Sequence, residues 1–416
     1  MTTAVEPASY RRVLTTPGFR TLWGGALLAR IGQQMTVVVL VLFVLARFGS
    51  ASLAGAAVFF AIAPGLLVSP IAGALLDRGR RIRLITLDYA VAAVCMAAVG
   101  LLDRAGVLTS VLLLLIVGAS SFTTPLSNSG TRSLFPMVLP RDLWDRANAL
   151  DSGGYVVAMI IGPAIAGATV ALFGGAAGLL ATAAIFALAA LVVSRVPEPA
   201  VVQGGTRGLL GNAVDGFRYV VRSPSLRGLA ICLCIANVGY GIFVVALPLV
   251  VLERFSGGAG EVGALWAVSG AGGMVGAFLA GRLDSSGRER HFIAIGLVAS
   301  AAGLLLVQVA PAIGVVAAGL VVFGASQGPI DVGLFSLRQR RTDPAWLGRA
   351  FAVSMSLNFS GQPIGSALGG PLSGRSISAA LLLAVAANLL AAAVPELLIP
   401  DRQGEEELRL AARLTV

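Results

Sequence analysis

The sequence predicts an all-α integral membrane protein, with twelve transmembrane helices arranged as two pseudo-symmetric six-helix bundles. Three observations support this fold class. The chain is 57% hydrophobic and only 12% charged, whereas soluble domains carry roughly 25% charged residues and need them to cover their surface. The arginines are concentrated in alternate gaps between apolar segments, and the second half of the chain repeats residues of the first half at constant spacing.

The twelve helices are predicted from apolar segments of about 20 residues, the length that crosses the hydrocarbon core of a bilayer. Short gaps that contain glycine, proline or charged residues separate adjacent segments. The predicted spans are 21–46, 53–76, 84–102, 107–128, 149–172, 176–194, 227–252, 262–281, 291–310, 312–334, 350–371 and 377–397.

The distribution of arginine predicts the orientation of these spans. Of the 30 basic residues, all of them arginine, one lies inside the first span and four follow odd-numbered spans, which leaves 25 in the termini and in the gaps after even-numbered spans. Short loops rich in arginine stay in the cytoplasm. Both termini are therefore predicted to be cytoplasmic, in a multi-pass protein of the bacterial plasma (inner) membrane. The net charge of +10 reflects this topology, and nucleic acid is not an expected partner.

An internal repeat divides the chain into two halves. Four residues of the first half recur 203 positions later, where Gly73, Arg146, Gly162 and Gly167 match Gly276, Arg349, Gly365 and Gly370. Matches that keep the same order indicate duplication of a six-helix unit. The predicted organisation is a cytoplasmic N-terminus at 1–20, a first bundle at 21–194, a cytoplasmic linker at 195–226, a second bundle at 227–397 and a cytoplasmic tail at 398–416.

The linker contains an amphipathic segment. Its apolar and charged residues occupy different helical faces, with Leu210, Val214, Phe217 and Val221 on one and Asp215, Arg218 and Arg222 on the other. This pattern predicts a helix that lies at the membrane surface. Such a helix acts as a tether at the headgroup level or as a regulatory element, and we expect the tether.

The residues needed for enzymatic chemistry do not form a recognisable pattern. The single histidine, His291, lies in a predicted cytoplasmic turn, and the three cysteines lie inside apolar runs without metal-ligand spacing. We therefore expect neither an enzyme nor a bound metal or cofactor.

Polar residues inside the apolar spans are the candidate functional residues, because they are costly in a bilayer. They form stripes at helical spacing on the first, seventh, tenth and eleventh spans, and a weaker stripe on the fourth span. In that order, the stripes are Arg30, Gln33 and Gln34; Asn237 and Tyr240; Gln327 and Asp331; Asn358 and Gln362; and Ser120, Thr123 and Thr124. For the amides and hydroxyls, two interpretations stay open, namely the lining of a cavity and hydrogen bonding between helices.

The charged residues within the spans allow more specific expectations. Arg30 and Asp331 are expected in a cavity or a buried ion pair, with Asp331 as the group that binds a proton and Arg30 as its countercharge or as an anchor for an anion. Asp88 and Asp151 lie near predicted cytoplasmic helix ends, where an arginine from a loop is the expected partner.

The gap between the second and third spans marks the cytoplasmic side by its arginines, and it is either a topology signal only or, as we expect, a latch that joins the two halves there. We predict that Asp77 reaches the free amides at the N-terminal end of the eleventh span. Arg78 or Arg81 would then pair with Asp142 or Asp145. The gating residues are expected to be Gly73, Asp77, Arg78, Arg81, Asp145 and Arg146. Within the fifth span, Gly162, Pro163 and Gly167 are expected to allow a bend and close packing.

Taken together, these motifs resemble the major facilitator superfamily. Its signature between the second and third helices is matched by Gly73, Leu75, Asp77, Arg78 and Arg81, with a degenerate copy at 276–290. The segments 134–150 and 337–352 are similar to the branch that contains macrolide efflux and siderophore exporters. The glycine expected later in the signature is displaced to Gly79, with Arg80 near its usual place, and the arginine of the fourth helix that is linked to proton coupling is absent.

This resemblance implies alternating access, in which two bundles rock about a cavity lined by helices 1, 4, 7 and 10, with helices 2, 5, 8 and 11 between the halves. The Gly-Pro run of the fifth span is similar to an exporter signature. The leading hypothesis is proton-coupled efflux of a small amphipathic molecule, such as a drug, natural product or siderophore, by a monomer. The alternatives are an importer of the same fold and a membrane sensor that does not transport.

Overall fold

The structure is a computed structural model that describes residues 9–77, 79–198, 209–343 and 346–400. Regular secondary structure within these ranges is helical, with no strand. The helices of the first half are α1 (Tyr10–Thr15), α2 (Phe19–Phe48), α3 (Ala51–Asp77), α4 (Arg81–Arg104), α5 (Ser110–Ser121), α6 (Thr124–Val138), α7 (Trp144–Phe173) and α8 (Gly175–Val193).

The second half repeats this order after a linker helix. Its helices are α9 (Leu209–Arg222), α10 (Pro224–Leu249), which continues into a π-turn at Val250–Arg254, α11 (Ala259–Ala280), α12 (Glu289–Val309), α13 (Ile313–Arg340), α14 (Leu347–Phe359), α15 (Gly361–Arg375) and α16 (Ile377–Leu398).

The predicted spans are present, with two interruptions. Eleven helical segments in the described part of the chain are long and apolar enough to cross a membrane, and the remaining predicted span, 350–371, consists of α14 and α15. The fourth span is likewise divided between α5 and α6. Each break lies just before a proline, Pro125 or Pro363, and proline removes a backbone hydrogen bond of the helix.

Two ends of the bundle are distinguished by their arginines. The arginine-rich end carries the first residues of α2 and the last residues of α3, and the arginine-poor end carries the α2–α3 and α15–α16 connections. The halves touch through α3 against α15 and α7 against α11, so helices 2, 5, 8 and 11 lie between the halves, as the resemblance implied.

Glycines allow these helices to approach closely at the arginine-poor end. A Cβ atom on Gly55 would lie 2.3 Å from the carbonyl oxygen of Ser366, and one on Gly167 would lie 2.7 Å from the Cα of Gly263. Gly162 instead packs against α2, where a Cβ atom would lie 2.7 Å from the Cβ of Gln34. Helix α7 continues through Pro163 without a break, so the Gly-Pro run serves close packing on two sides.

The apolar core joins the halves at one end only. At the arginine-poor end, one continuous cluster includes Val39 and Phe43 from the first half and Phe243 and Val250 from the second. At the arginine-rich end, the described apolar residues form four separate clusters, two within the first half, one within the second half and one around the linker helix. The described apolar cores of the two halves are therefore joined at the arginine-poor end and separate at the arginine-rich end, where the linker helix α9 still contacts α3.

Each half begins with a short helix that docks on the connection before its fifth span. Arg12 of α1 forms an ion pair with Asp142, with Nη1 and Oδ2 2.6 Å apart. In the second half, Tyr219 of α9 stacks on Trp346 with ring centroids 5.1 Å apart, and its hydroxyl accepts a hydrogen bond from the Asp343 amide at 3.1 Å. The repeat thus extends to the helices that precede each bundle.

The amphipathic prediction for α9 is met in part. Phe217 and Val221 are exposed on its outer surface, while Tyr219 and Val220 are buried against α14. The side chains of Leu210 and Val214 lie outside the described residues.

The turn between α3 and α4 has left-handed backbone at two consecutive residues. Gly79 has φ 89° and Arg80 has φ 62°, so Arg80 adopts a conformation that favours glycine. Arg81 donates from Nε to the Leu76 carbonyl at 3.1 Å and from Nη1 to the Met137 sulfur at 3.2 Å. The side chain of Asp77, the environment of Gly73 and all of Arg78 lie outside the described residues.

The predicted partners of this turn are arranged differently. Asp142, expected to bind an arginine of the turn, is bound by Arg12, because α1 packs beside the first residues of α7. The first amides of α4 bind Glu198, with Ile82 N–H donating at 3.0 Å and Arg83 N–H at 3.4 Å. Asp145 is exposed and Arg146 is half-buried at the start of α7.

The corresponding turn of the second half is stabilised by its own hydrogen bonds. The Asp284 carboxylate accepts from the Ser286 hydroxyl at 2.7 Å and from the Ser286 amide at 3.0 Å. These two bonds lower the pKa of the Asp284 carboxyl.

Candidate functional site

A buried ion pair occupies the centre of the first half. Arg30 on α2 is 6% exposed; its Nη2 lies 2.5 Å from Oδ1 of Asp151 on α7, and its Nη1 donates to the Asp151 carbonyl at 3.3 Å. The guanidinium also lies 4.0 Å from the centroid of the Tyr155 ring.

The expectation that Asp151 pairs with a loop arginine is wrong. Helix α7 begins at Trp144, earlier than the predicted span, so Asp151 lies two turns inside the helix and faces α2. The charge of Arg30 is consequently balanced within the first half, and the hypothesis that Arg30 is the countercharge of Asp331 does not describe this structure.

Asp88 is buried, and no arginine among the described residues is its partner, in contrast to the loop arginine that the sequence suggested. This side chain on α4 is 3% exposed and accepts a hydrogen bond from the Thr123 hydroxyl at 2.6 Å. Ser127 is a second hydroxyl neighbour of the carboxylate. Asp88 is placed there because α4 packs against α6, directly beyond the break in the fourth span.

The break in the fourth span is held by a hydroxyl contact to α3. The Gly65 amide donates to the Ser121 Oγ atom at 3.1 Å. Thr123 lies in the turn between α5 and α6, so the weakest predicted stripe supplies the partner of Asp88. Nearby, Gln33 donates to Asn128 of α6 at 3.5 Å. Gln34 is half-buried in the contact with Gly162.

In the second half, several predicted polar residues bond within their own helices. Asn237 donates to the Leu233 carbonyl at 2.9 Å, and Gln327 donates to the Phe323 carbonyl at 3.4 Å. Neither amide forms a described hydrogen bond to another helix. Gln362 is half-buried on α15.

Tyr240 belongs to an aromatic cluster contributed by α10, α11 and α13. Its ring stacks on Phe323 with centroids 6.3 Å apart and meets Trp266 edge-on at 6.2 Å. Phe243 contacts both Trp266 and Phe323. Tyr240 and Trp266 are only half-buried and pack against the apolar cluster that joins the halves. We therefore assign their exposed parts to the interior and call this cluster the aromatic wall.

Asp331 lies on the interior face of α13. Residues 327, 331, 334 and 338 share one face by helical spacing. Leu334 is buried in the apolar cluster of the second half, and Arg338 contacts α14, so this face points into the protein. Asp331 itself is exposed, and we therefore assign its exposure to the interior space between the halves.

Arg338 is a functional candidate that the sequence prediction missed. Helix α13 extends to Arg340, six residues beyond the predicted span, and carries Arg338 into the protein at 1% exposure. Its Nη2 donates to the Asn358 amide oxygen at 2.8 Å, in the amide orientation that also lets Asn358 donate to the Ser354 carbonyl at 2.9 Å. A basic residue at i+7 from Asp331 was the signal available in the sequence.

These contacts define what the interior can bind. Among the described residues, no group of acidic, cysteine or histidine side chains could hold a metal ion. The interior offers an exposed carboxylate at Asp331 and an aromatic wall, whereas the Asp88 carboxylate is buried against its hydroxyl partners. Such a surface suits the binding of protons and of an amphipathic cation rather than covalent chemistry.

Comparison with known proteins agrees with this architecture. The sequence matches the Major Facilitator Superfamily over residues 22–362 and 229–414. It is 38% identical over 395 residues to the MFS-type transporter y4rN of Sinorhizobium fredii, covering 94% of this chain and 98% of that protein. The multidrug efflux pump Tap of Mycolicibacterium fortuitum is 26% identical over 405 residues, covering 93% and 96%. The enterobactin exporter EntS of Shigella boydii is 28% identical over 335 residues, covering 78% and 76%.

Solved structures share the fold. A bacterial homologue of the human lysosomal transporter Spinster superposes with a TM-score of 0.74 at 15% identity, covering 96% of this chain and 100% of the other. The nucleoside transporter NupG superposes with a TM-score of 0.72 at 12% identity, covering 91% and 98%. The chain therefore belongs to the major facilitator superfamily of membrane transporters.

Proposed function

We propose that this protein is a monomeric secondary exporter of the bacterial plasma membrane, which moves a small amphipathic molecule outward in exchange for protons. The observation that carries the proposal is the asymmetry between the two ends. The halves share one core at the arginine-poor end and have separate cores at the arginine-rich end. Because arginine-rich loops stay in the cytoplasm, this arrangement supports an inward-facing state, in which the interior opens to the cytoplasm. Such a state belongs to the cycle of an importer as well as to that of an exporter, so it supports alternating access, and the direction is proposed from the relatives.

The interior suggests the chemical class of the substrate. Asp331 is an exposed interior carboxylate, and the positive charge of Arg30 is already balanced by Asp151. A cationic amphipathic molecule would place its charge near Asp331 and its apolar part against Tyr240 and Trp266, the half-buried rings of the aromatic wall. Protons and substrate would then compete for one carboxylate, which couples their opposite movements.

The relatives support outward transport. Tap is named as a multidrug efflux pump and EntS as an enterobactin exporter, and both match most of this chain. Export of a drug, a natural product or a siderophore is therefore favoured over import.

Vesicles of opposite orientation test the direction. Inverted vesicles from a pump-deficient host should concentrate a fluorescent lipophilic cation such as ethidium when energised, and a protonophore should abolish this uptake. Vesicles without the protein and vesicles that contain Asp331→Asn are the controls. Accumulation in right-side-out vesicles instead would make the protein an importer. Absence of flux in both orientations, across a panel of antibiotics and siderophores, would favour the sensor.

A further inference from the structure

We propose that the second half holds a small monovalent anion of chloride size between Arg338, Ser354 and Asn358. In each half, a buried guanidinium contacts the fifth span of that half at equivalent positions, although the two arginines come from non-equivalent helices, α2 and α13. In the first half, Arg30 contacts residues 151 and 155. In the second half, Arg338 contacts residue 358, and residues 354 and 358 follow 151 and 155 at the repeat spacing of 203.

The equivalent positions differ in charge. Position 151 is an aspartate, which neutralises Arg30 at 2.5 Å. Position 354 is a serine, so the second half has the cation without the carboxylate. In the first half, the negative charge of Asp151 neutralises the buried arginine. In the second half, Ser354 supplies no negative charge at the equivalent position.

Among the described residues, every group that contacts Arg338 is uncharged. Its Nη1 lies 3.1 Å from the Met355 sulfur, its Nη2 donates to Asn358, and its guanidinium lies 4.7 Å from the Phe351 ring centroid. Its Nε atom is buried without a hydrogen-bond partner. Because a guanidinium remains charged in proteins, burial without an anion is strongly unfavourable.

A second buried donor lies on the same helix as Asn358. Ser354 is 0% exposed, and its hydroxyl has no hydrogen-bond partner among the described residues. The Asn358 amide donates to the carbonyl of this same serine, which places Ser354 one turn from a residue that touches the guanidinium. An anion at this point would accept hydrogen bonds from the guanidinium and from the hydroxyl.

Burial limits the size of the anion. Arg338 is 1% exposed and is bordered by Phe335, Phe351 and Met355. The acidic group of an amphipathic substrate does not reach such an enclosed site without its apolar remainder. Asp331 shares the face of Arg338 but lies seven residues away, about 10 Å along the helix axis. A halide is therefore the class of ligand that fits.

Thermal unfolding of the purified full-length protein tests this site. The midpoint should rise by roughly 2 °C or more, and then saturate, as sodium chloride replaces sodium gluconate at constant ionic strength. Arg338→Gln should lose this response. Ser354→Asp, which restores the carboxylate found in the first half, should remove the response and raise the midpoint in gluconate. Arg340→Gln alters a neighbouring arginine that pairs with Glu289, and it should keep the response.

The outcomes separate clearly. An equal midpoint in chloride and gluconate for the wild type would mean that another group of the chain neutralises Arg338, and would overturn the proposal. A full chloride response in Ser354→Asp would also overturn it, even if Arg338→Gln did not fold. The test does not depend on the direction of transport, so the exporter proposal stands or falls separately.

Discussion

Arg30 and Asp151 form a buried ion pair between α2 and α7, with Nη2 and Oδ1 2.5 Å apart. Loss of one partner leaves an uncompensated charge in a low-dielectric interior, whereas loss of both leaves none. Arg30→Gln should therefore lower the free energy of unfolding by about 3 to 5 kcal/mol. Unfolding of the purified protein in a denaturing detergent series measures this change.

The double variant is the control for that measurement. Arg30→Met combined with Asp151→Leu replaces both charges with apolar groups, and it should recover most of the stability lost by Arg30→Gln. Strictly additive losses would show that the two side chains act independently, against the observed pairing.

Arg80 occupies a left-handed conformation, with φ 62°, which costs a residue with a Cβ atom roughly 1 to 2 kcal/mol. Arg80→Gly should thus raise the free energy of unfolding by about 1 kcal/mol. Gly79→Ala, at φ 89°, is the opposing control and should lower it. If both variants shift stability in the same direction, the turn has a different backbone from the one described.

Tyr219 anchors the linker helix by stacking on Trp346 and by accepting the Asp343 amide. Tyr219→Ala should lower the free energy of unfolding by about 3 kcal/mol, the cost of removing a buried aromatic ring. If α9 is a tether, flux per folded molecule should equal that of the wild type. Reduced flux at equal amounts of folded protein would instead assign α9 a regulatory role. Tyr219→Phe separates the hydrogen bond from the stack.

Single cysteines at the two ends of the bundle test the predicted orientation. Ala105 lies at the arginine-poor end and Ser286 at the arginine-rich end, and both are exposed. In a background without Cys95, Cys232 and Cys234, a membrane-impermeant thiol reagent should label Ala105→Cys in intact cells. It should label Ser286→Cys only after the cells are opened. The reverse pattern would place the arginine-rich end outside the cell.

The sequence was sufficient for the helices and for the division into halves, because both depend on local patterns. Apolar segments of spanning length identify helices such as α2 and α10, and equivalent glycines identify the repeat. The helix breaks at Thr123 and Ser360 were not predicted. The apolar segments continue through Pro125 and Pro363, so hydrophobicity alone does not reveal the backbone hydrogen bonds that these prolines remove.

The candidate site was predicted as a set of residues and not as a set of partners. Asp151 was assigned to a loop arginine because the predicted span began after Trp144, where helix α7 begins. Arg338 was assigned to a loop because helix α13 extends beyond the apolar segment from which its span was predicted. Which side chain meets which depends on helix rotation and tertiary packing, and composition does not encode these. The proposed roles of Asp77 and Arg78 in gating stay predictions.

Proton coupling through Asp331 is the central claim, and substrate-driven proton movement in proteoliposomes tests it most directly. A lipophilic cation added to loaded proteoliposomes with a pH gradient should dissipate that gradient with the wild type, and Asp331→Asn should abolish this effect at unchanged insertion. Asp88→Asn is the matched control, because an amide oxygen still accepts the Thr123 hydroxyl, and coupling should persist. Unchanged coupling in Asp331→Asn would contradict the account.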